Sequence, residues 1–320
     1  MNRDFQQALW DAATEDDCRQ LIRLAVREDL GRTYDWTTVA LVAPETDGRA
    51  SVVARRAGVV AGLPAAELVL GEMDSRMTWQ PRVVDGASVT AGEVLATIVG
   101  PARSLLTAER PLLNFLGHLS GIASLTRRYV EAVAGTGARV YDTRKTTPGW
   151  RRLEKYAVRM GGGHNHRAGL FDAVLIKDNH LALGAVRPGC GLAGTEATHY
   201  SPAQAVSLAR EFLAHLPANE PARDMIVEVE VDNLSQFAEV LRVRPDIVLL
   251  DNMSLDDLRA AVARRNAEAP QVELEASGGV NLETIRAIAD TGVDRISVGA
   301  LTHSASWFDV GLDWEENAEF

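Results

Sequence analysis

Four stretches of this sequence gather groups that could bind anions and steady developing charge. The first is Asp142-Thr-Arg-Lys-Thr-Thr-Pro-Gly149, where Arg144 and Lys145 stand beside two hydroxyls. Such a loop suits carboxylate or phosphate oxygens. Taken alone, it fits a surface turn closed by Pro148 and Gly149 equally well. The second is Gly161-Gly-Gly-His-Asn-His-Arg167, followed by Lys177-Asp-Asn-His180. Three glycines permit close backbone approach, or simply stop a helix. A metal site on the histidines lacks carboxylate or cysteine partners nearby in sequence. The expectation is instead a pocket with several positive groups (Arg144, Lys145, His166, Arg167, Lys177) that suits a small dianion. The third is acidic: Glu228 and Glu230 lie two apart, with Asp251 further on. Residues two apart on a strand share a face, and buried carboxylates need a partner. Magnesium or a cationic transition state would satisfy Glu230 and Asp251; pairing with basic residues is the plainer reading, strongest for Glu228. The fourth comprises Ser277-Gly278-Gly279 and Ser297-Val-Gly299. Two glycine-bearing loops leading to helix N-termini form a common phosphate cradle, with His303 in reach.

These groups need a scaffold that brings them together. From Ala138 onward short apolar runs alternate with amphipathic helical patterns. The expected strands are 139–142, 173–176, 226–231, 246–250, 272–276 and 295–298. The expected helices lie near 149–160, 202–216, 233–243, 255–266 and 281–291. Six β/α units in series argue for a parallel sheet, either closed into a barrel or open and doubly wound. Every strand ends in residues suited to chemistry. A barrel gathers all its C-terminal strand ends at one mouth, whereas an open sheet leaves the outer strands apart, so the barrel accounts for more.

The first part of the chain reads differently. Residues 4–30 have helical spacing through Phe5, Leu9, Trp10, Leu21 and Ile22. Short β runs broken by glycine follow (50–55, 59–61, 77–84, 94–99), then a long helical pattern from Ser104 to about Val133. The stretch Asp85-Gly-Ala-Ser-Val-Thr-Ala-Gly resembles a lipoyl-carrier hairpin, but no lysine precedes residue 145 to carry a cofactor. The segment from Gly184 to His199 reads as a surface loop inside an unusually long 183–225 connection. The tail beyond Ala305 is acidic and aromatic and is expected to pack on the first domain.

Composition narrows the function classes. The net charge of −11 disfavours general nucleic-acid binding, and an anionic substrate must be held by a local basic cluster. No apolar run is long enough to cross a bilayer and no signal pattern opens the chain, so a cytoplasmic location is expected. Cys18 and Cys190 stand in no metal-type spacing and read as reduced thiols. Of 33 basic residues only three are lysine, Lys145, Lys155 and Lys177. Lysine is a compact charge that arginine does not always replace. Lys145 and Lys177 are expected to be functional, and Lys155, among Arg151, Arg152 and Arg159, to lie on a solvated helix face.

With these residues in view, the chain resembles the type II phosphoribosyltransferases and, within them, the quinolinate phosphoribosyltransferase family. The resemblance runs from about Leu21 to Ser304. It rests on Asp142-Thr-Arg-Lys-Thr-Thr-Pro-Gly, Gly161-Gly-Gly-His-Asn-His-Arg-Ala-Gly-Leu-Phe-Asp172, Leu175-Ile-Lys-Asp-Asn-His180, Glu228-Val-Glu-Val, Leu250-Asp-Asn-Met and Ala276-Ser-Gly-Gly-Val in that order. It implies an N-terminal α/β sandwich domain, 1–118, and an incomplete six- or seven-stranded β/α barrel, 119–304. The implied reaction joins quinolinate to the phosphoribosyl group of phosphoribosyl pyrophosphate and releases carbon dioxide. It implies that Arg144, His166, Arg167 and Lys177 hold the quinolinate carboxylates, with Arg110 reaching in from the partner subunit of a homodimer or higher homo-oligomer. Lys145 would meet the phosphoribosyl donor. Glu230 and Asp251 would bind magnesium or the ribose hydroxyls, and Ser277, Gly278, Gly279, Gly299 and His303 the 5-phosphate. The chain departs from the family in Arg32-Thr-Tyr-Asp-Trp-Thr-Thr38, one residue longer than usual, and in the long 183–225 connection.

Three rivals remain at this point. A relative acting on another acceptor, such as those found with molybdate transport, has no use for the dicarboxylate residues. A phosphosugar lyase or isomerase would need a Schiff-base lysine, for which Lys177 could serve. A phosphometabolite sensor would not need Glu230 and Asp251 beside phosphate loops.

Overall fold

One carboxylate decides where the first helix starts. Asp11 accepts from the Thr14 backbone N–H at 2.9 Å, and helix α1 (Ala12–Leu30) follows. Residues 4–11, expected within that helix, are not helical. The four-residue spacing of Phe5 and Leu9 imitates the helical period, but Phe5 is buried in a different core cluster. The computed structural model describes residues 4–184 and 199–315. The expected loop from Gly184 to His199 therefore lies almost wholly outside the described residues, as does Cys190.

In chain order the elements after α1 are α2 (Trp36–Leu41), β1 (Asp47–Ala54), β2 (Gly58–Val59), α3 (Leu63–Met73), β3 (Thr78–Pro81), β4 (Ser88–Val89), β5 (Val94–Pro101) and α4 (Ala102–Ala132). There follow β6 (Arg139–Tyr141), α5 (Arg151–Met160), β7 (Val174–Ile176), α6 (Asp178–Gly184), α7 (Pro202–His215), β8 (Val227–Val231) and α8 (Leu234–Val243). The last are β9 (Ile247–Asp251), α9 (Leu255–Glu268), β10 (Glu273–Ser277), α10 (Ile285–Ala289), β11 (Arg295–Ser297), α11 (Ala300–His303) and β12 (Val310–Trp314). They fall into two compact units. One holds residues 7–130, 145–164 and 300–315; the other holds 4–6, 131–144 and the described part of 165–299.

The first unit is built on a four-stranded sheet in the order β12-β1-β5-β3, with antiparallel pairing throughout. The C-terminal segment supplies an edge strand, from Val310 opposite Ala54 to Trp314 opposite Ala50. Ala50, Val52, Leu95 and Ile98 are fully buried, so the sheet is held by apolar burial. Helix α3 begins at Gly62, which has φ 98° and offers no capping side chain. Asp85 replaces it, accepting from the Gly62 and Leu63 N–H groups at 2.8 and 3.0 Å and from the Tyr156 hydroxyl at 2.7 Å. The carrier-like stretch thus serves as a helix cap. Burial also pushes the Cys18 thiol up to about 12, leaving it inert.

Helix α5 corrects one expectation. Lys155 is only 2% exposed, not on a solvated face. Residues 153–158 of this helix are all buried, with α1 and α11 packed on it. The triple glycine ends the same helix. Gly161 caps it, Gly162 takes φ 91°, and a Cβ on Gly161 would lie 2.5 Å from the Ala123 carbonyl of α4. These glycines stop a helix and let it pack closely.

The second unit is a six-stranded sheet in the order β6-β11-β10-β9-β8-β7, with every neighbouring pair parallel. This is the strand order of a ring with one seam open, between β6 and β7. Register sorts its side chains. Val227, Val229, Val231, Val248, Leu250, Leu274 and Ile296 are buried on one face, the side on which α7 and α8 pack. The alternate positions point the other way and are largely polar: Glu228 and Glu230, Glu273 and Glu275, Arg295 and Ser297.

Candidate active site

Because all six strands are parallel, their C-terminal ends lie at one end of the sheet. Arg144 follows β6, Lys177 follows β7, Glu230 lies in β8, Asp251 ends β9, Ser277 ends β10, and Gly299 follows β11. Lys177 Nζ donates to Glu230 Oε2, so the two are an ion pair across adjacent strands. Such an ammonium is committed to a carboxylate, which counts against its use as a Schiff-base nucleophile. Asp251 accepts from the Asn252 side chain at 2.6 Å. Asn252 itself takes φ 51° and its N–H donates to the Ser277 carbonyl at 2.9 Å. Gly278, at φ 96°, could carry no side chain: a Cβ would lie 2.1 Å from Asn252 Oδ1. The glycine loop after β10 is therefore pressed against the loop after β9, with its backbone bare.

Arg167 is buried, and its Nη1 donates to the Ala173 carbonyl at 3.1 Å. Its Nε has no hydrogen-bond partner among the described residues. Burial first, and the nearby Arg144 guanidinium second, lower its pKa from the usual arginine value. Two guanidinium groups close enough to act on each other's charge, one of them buried, favour an anion nearby.

The segment carrying Arg167 is tied to β6 by a residue that motif reading passed over. Asp142 is fully buried; it accepts from the His166 N–H at 2.8 Å and from the Asn165 side chain at 2.7 Å. His166 Nδ1 accepts from the Arg167 N–H at 2.8 Å, and Nε2 lies 3.0 Å from Glu228 Oε2 and 3.6 Å from Glu275 Oε1. Both ring nitrogens are thus engaged within the protein. The carboxylate partners that seemed missing beside the histidines arrive from β8 and β10. His166, Glu228 and Glu275 place donor atoms within 4.8 Å of one another. Arg295 lies close enough to Glu275 to act on its charge, so positive charge is already supplied there without a metal ion. Burial, then the neighbouring Glu228, push the Glu275 carboxyl up to about 7. Glu275 could have been found in the sequence, since it lies two before Ser277 and so shares its face.

The other expected residues belong to the first unit. Arg110 is exposed on α4. Lys145 is exposed, and its carbonyl accepts from the Thr302 hydroxyl at 2.8 Å. His303 is exposed beside Ser304, with Nδ1 and Oγ 2.7 Å apart.

A parallel β/α sheet wound as an incomplete barrel, with two neighbouring guanidinium groups and glycine-bearing loops after its strands, defines a barrel enzyme for small anionic substrates. Known proteins make the class specific. The quinolinate phosphoribosyl transferase N-terminal domain matches residues 35–120, and the C-terminal domain of the same family matches residues 122–313. The chain is 45% identical over 301 residues to a nicotinate-nucleotide pyrophosphorylase [carboxylating] of Mycobacterium leprae, covering 93% of this chain and 97% of that one. It is 36% identical to a quinolinate phosphoribosyltransferase [decarboxylating] of Nicotiana glauca, covering 92% and 82%. Its fold matches the nicotinate-nucleotide pyrophosphorylase structure from Francisella tularensis with TM-score 0.84 and 34% identity, over 98% of this chain and 100% of that one. The chain belongs to the quinolinate phosphoribosyl transferase family. Among the described residues no helix is long and apolar enough to cross a membrane.

Proposed function

We propose that this chain transfers the phosphoribosyl group of phosphoribosyl pyrophosphate to quinolinate with loss of carbon dioxide, giving nicotinate mononucleotide and pyrophosphate. The observation that carries the reading is the buried Arg167, with Arg144 close enough to act on its charge, together with Lys177, which follows β7 and pairs with Glu230 of β8. Quinolinate brings two carboxylates, and two guanidinium groups with an ammonium match that charge. Arg144, Arg167 and Lys177 hold the acceptor, and His166 accepts from the Arg167 N–H beside them.

Glu230 and Asp251 stand at the ends of adjacent strands and are both partly exposed. Two such carboxylates fit a hard cation that takes its remaining oxygens from substrate, so they would hold magnesium. Magnesium held by Glu230 and Asp251 would supply charge neutralisation for the departing pyrophosphate. The same carboxylates favour positive charge at the ribose carbon as the pyrophosphate bond lengthens. The pyridine nitrogen, oriented by the guanidinium clamp, attacks that carbon. The carboxylate on the carbon next to the quaternised nitrogen then leaves as carbon dioxide, its electron pair stays on that carbon beside the positive nitrogen, and a proton from water takes the vacated position. Ser277, Gly278, Gly279 and Gly299 cradle the 5-phosphate with bare backbone, and Lys145 and His303 add charge for the donor. Exposed Arg110 completes the acceptor pocket of a second copy in a homodimer, and the enzyme works in the cytoplasm.

The test is direct. Purified protein is incubated with phosphoribosyl pyrophosphate, magnesium and either quinolinate or nicotinate, and products are weighed by mass spectrometry. Nicotinate mononucleotide from quinolinate alone is expected. Product from nicotinate, or from neither acid while the donor still binds, means the acceptor is different.

A further inference from the structure

The parallel sheet has a neighbour at the N-terminal ends of its strands, opposite the mouth, that the reaction does not call for. The N-terminal arm, residues 4–6, belongs to the same unit as the sheet. Phe5 is only 4% exposed, and its ring stacks on the His166 imidazole with centroids 4.4 Å apart and planes 29° apart. It shares a core cluster with Tyr141, Ala173, Ile226 and Ile247. The Arg295 guanidinium lies 5.4 Å from the same ring. Asp4 anchors the arm: it accepts from Arg139 at 3.0 Å and from the Tyr141 hydroxyl at 2.9 Å, and lies 3.1 Å from Arg295 Nη1.

Burial of one ring would hold the arm without fixing its direction. The three partners of Asp4 supply the direction. The stacked ring in turn restricts the imidazole, whose two nitrogens are tied to the Arg167 N–H and to Glu228. Rotation of the imidazole would break the bond to the Arg167 backbone. Arg167 is the buried guanidinium with an uncommitted Nε.

We propose that Phe5 and Asp4 are positioning residues for the quinolinate pocket, acting through His166 to fix the backbone that carries Arg167. This rests on Arg167 being a ligand of the acceptor. It predicts that loss of the ring affects the acceptor and spares the phosphoribosyl donor, whose cradle lies on the β10 and β11 loops.

The experiment compares full-length Phe5→Ala, Phe5→Leu and Phe5→Tyr with the unaltered chain, measuring KM for each substrate, kcat, and thermal unfolding of the same preparations. Phe5→Ala is expected to raise KM for quinolinate about tenfold and leave KM for the donor within about twofold, since small misplacements of a binding group have large effects. Phe5→Leu keeps apolar bulk without a stacking ring and should share that selective rise, whereas Phe5→Tyr should restore the unaltered constants. Asp4→Asn should raise the same KM by a smaller factor, about threefold, because Arg295 and Arg139 keep other acidic partners. Phe5→Leu behaving as the unaltered chain would show that the ring only fills space. Parallel losses for both substrates that track the folded fraction would show a purely structural arm. If the unaltered chain makes no product from quinolinate, the assignment of the acceptor fails first, independently of the arm.

Discussion

The two sheets of this chain bury opposite kinds of side chain. In the antiparallel sheet the fully buried positions of β1 and β5 are Ala50, Val52, Ala54, Leu95, Ala96 and Ile98. In the parallel sheet one face is equally apolar, but the other buries Glu228, Glu273, Glu275 and Arg295, with Arg295 and Glu273 paired. Buried aliphatic carbon stabilises a fold wherever it sits. A buried ion stabilises only with partners and often contributes nothing net. The first sheet therefore carries stability, and the second gives some up to keep charge fixed near its strand ends.

The contrast is most open to attack at Arg167. Arg167→Ala should lower kcat/KM for quinolinate about a thousandfold, as loss of a preorganised charged donor does. Steady-state kinetics beside a thermal melt would decide it, and an equal loss of donor binding would break the comparison. Next in size is Ile98→Ala in the apolar sheet. It should cost about 3 kcal/mol of stability, read from denaturant unfolding, while kcat per folded molecule stays unchanged.

Glu275→Gln comes third and depends on pH. The folded chain holds this carboxyl's proton up to about 7, whereas the usual glutamate value is 4.5. Between those values the folded state binds more proton than the unfolded one, so stability from this group falls as pH rises through the window. Glutamine cannot lose a proton. The variant should match the original chain near pH 4.5 and exceed it above pH 7, by on the order of 3 kcal/mol. Parallel stability profiles from pH 5 to 8 would show that Glu275 holds no extra proton. The smallest effect belongs to Asp313→Asn, which removes the exposed ion pair with Arg55 between β12 and β1. Surface pairs contribute little, so unfolding midpoints at low and high salt should not separate the two chains.

Much of the parallel sheet was legible in the sequence because its strands alternate with amphipathic helices. All six expected strands stand within a residue or so of β6 to β11. Their ends could be read as a mouth because parallel order alone gathers them. The antiparallel unit was harder. Helix α3 went unseen because Gly62, Pro64 and Gly71 resemble the broken β texture around it, and its cap comes from Asp85 on a distant turn. The N-terminal arm was taken for helix because spacing cannot tell a helical face from a single buried ring. Asp142 and Glu275 were missed for another reason. Asp142 stands in the first motif but beside two basic residues that draw the eye, Glu275 stands in no motif, and each matters through what folding brings to it, the His166 backbone and ring.

The scarcity of lysine gives the chain a chemical handle. Lys155 is sealed inside α5, while Lys145 is exposed and the Lys177 side chain is 42% exposed. An amine-directed reagent such as an N-hydroxysuccinimide ester would then meet two lysine side chains on the folded protein, one in Asp142–Gly149 and one in Leu175–His180. Peptide mapping of such a label, with and without each substrate, reports at each of these two lysines whether substrate covers it, with almost no background from other side chains.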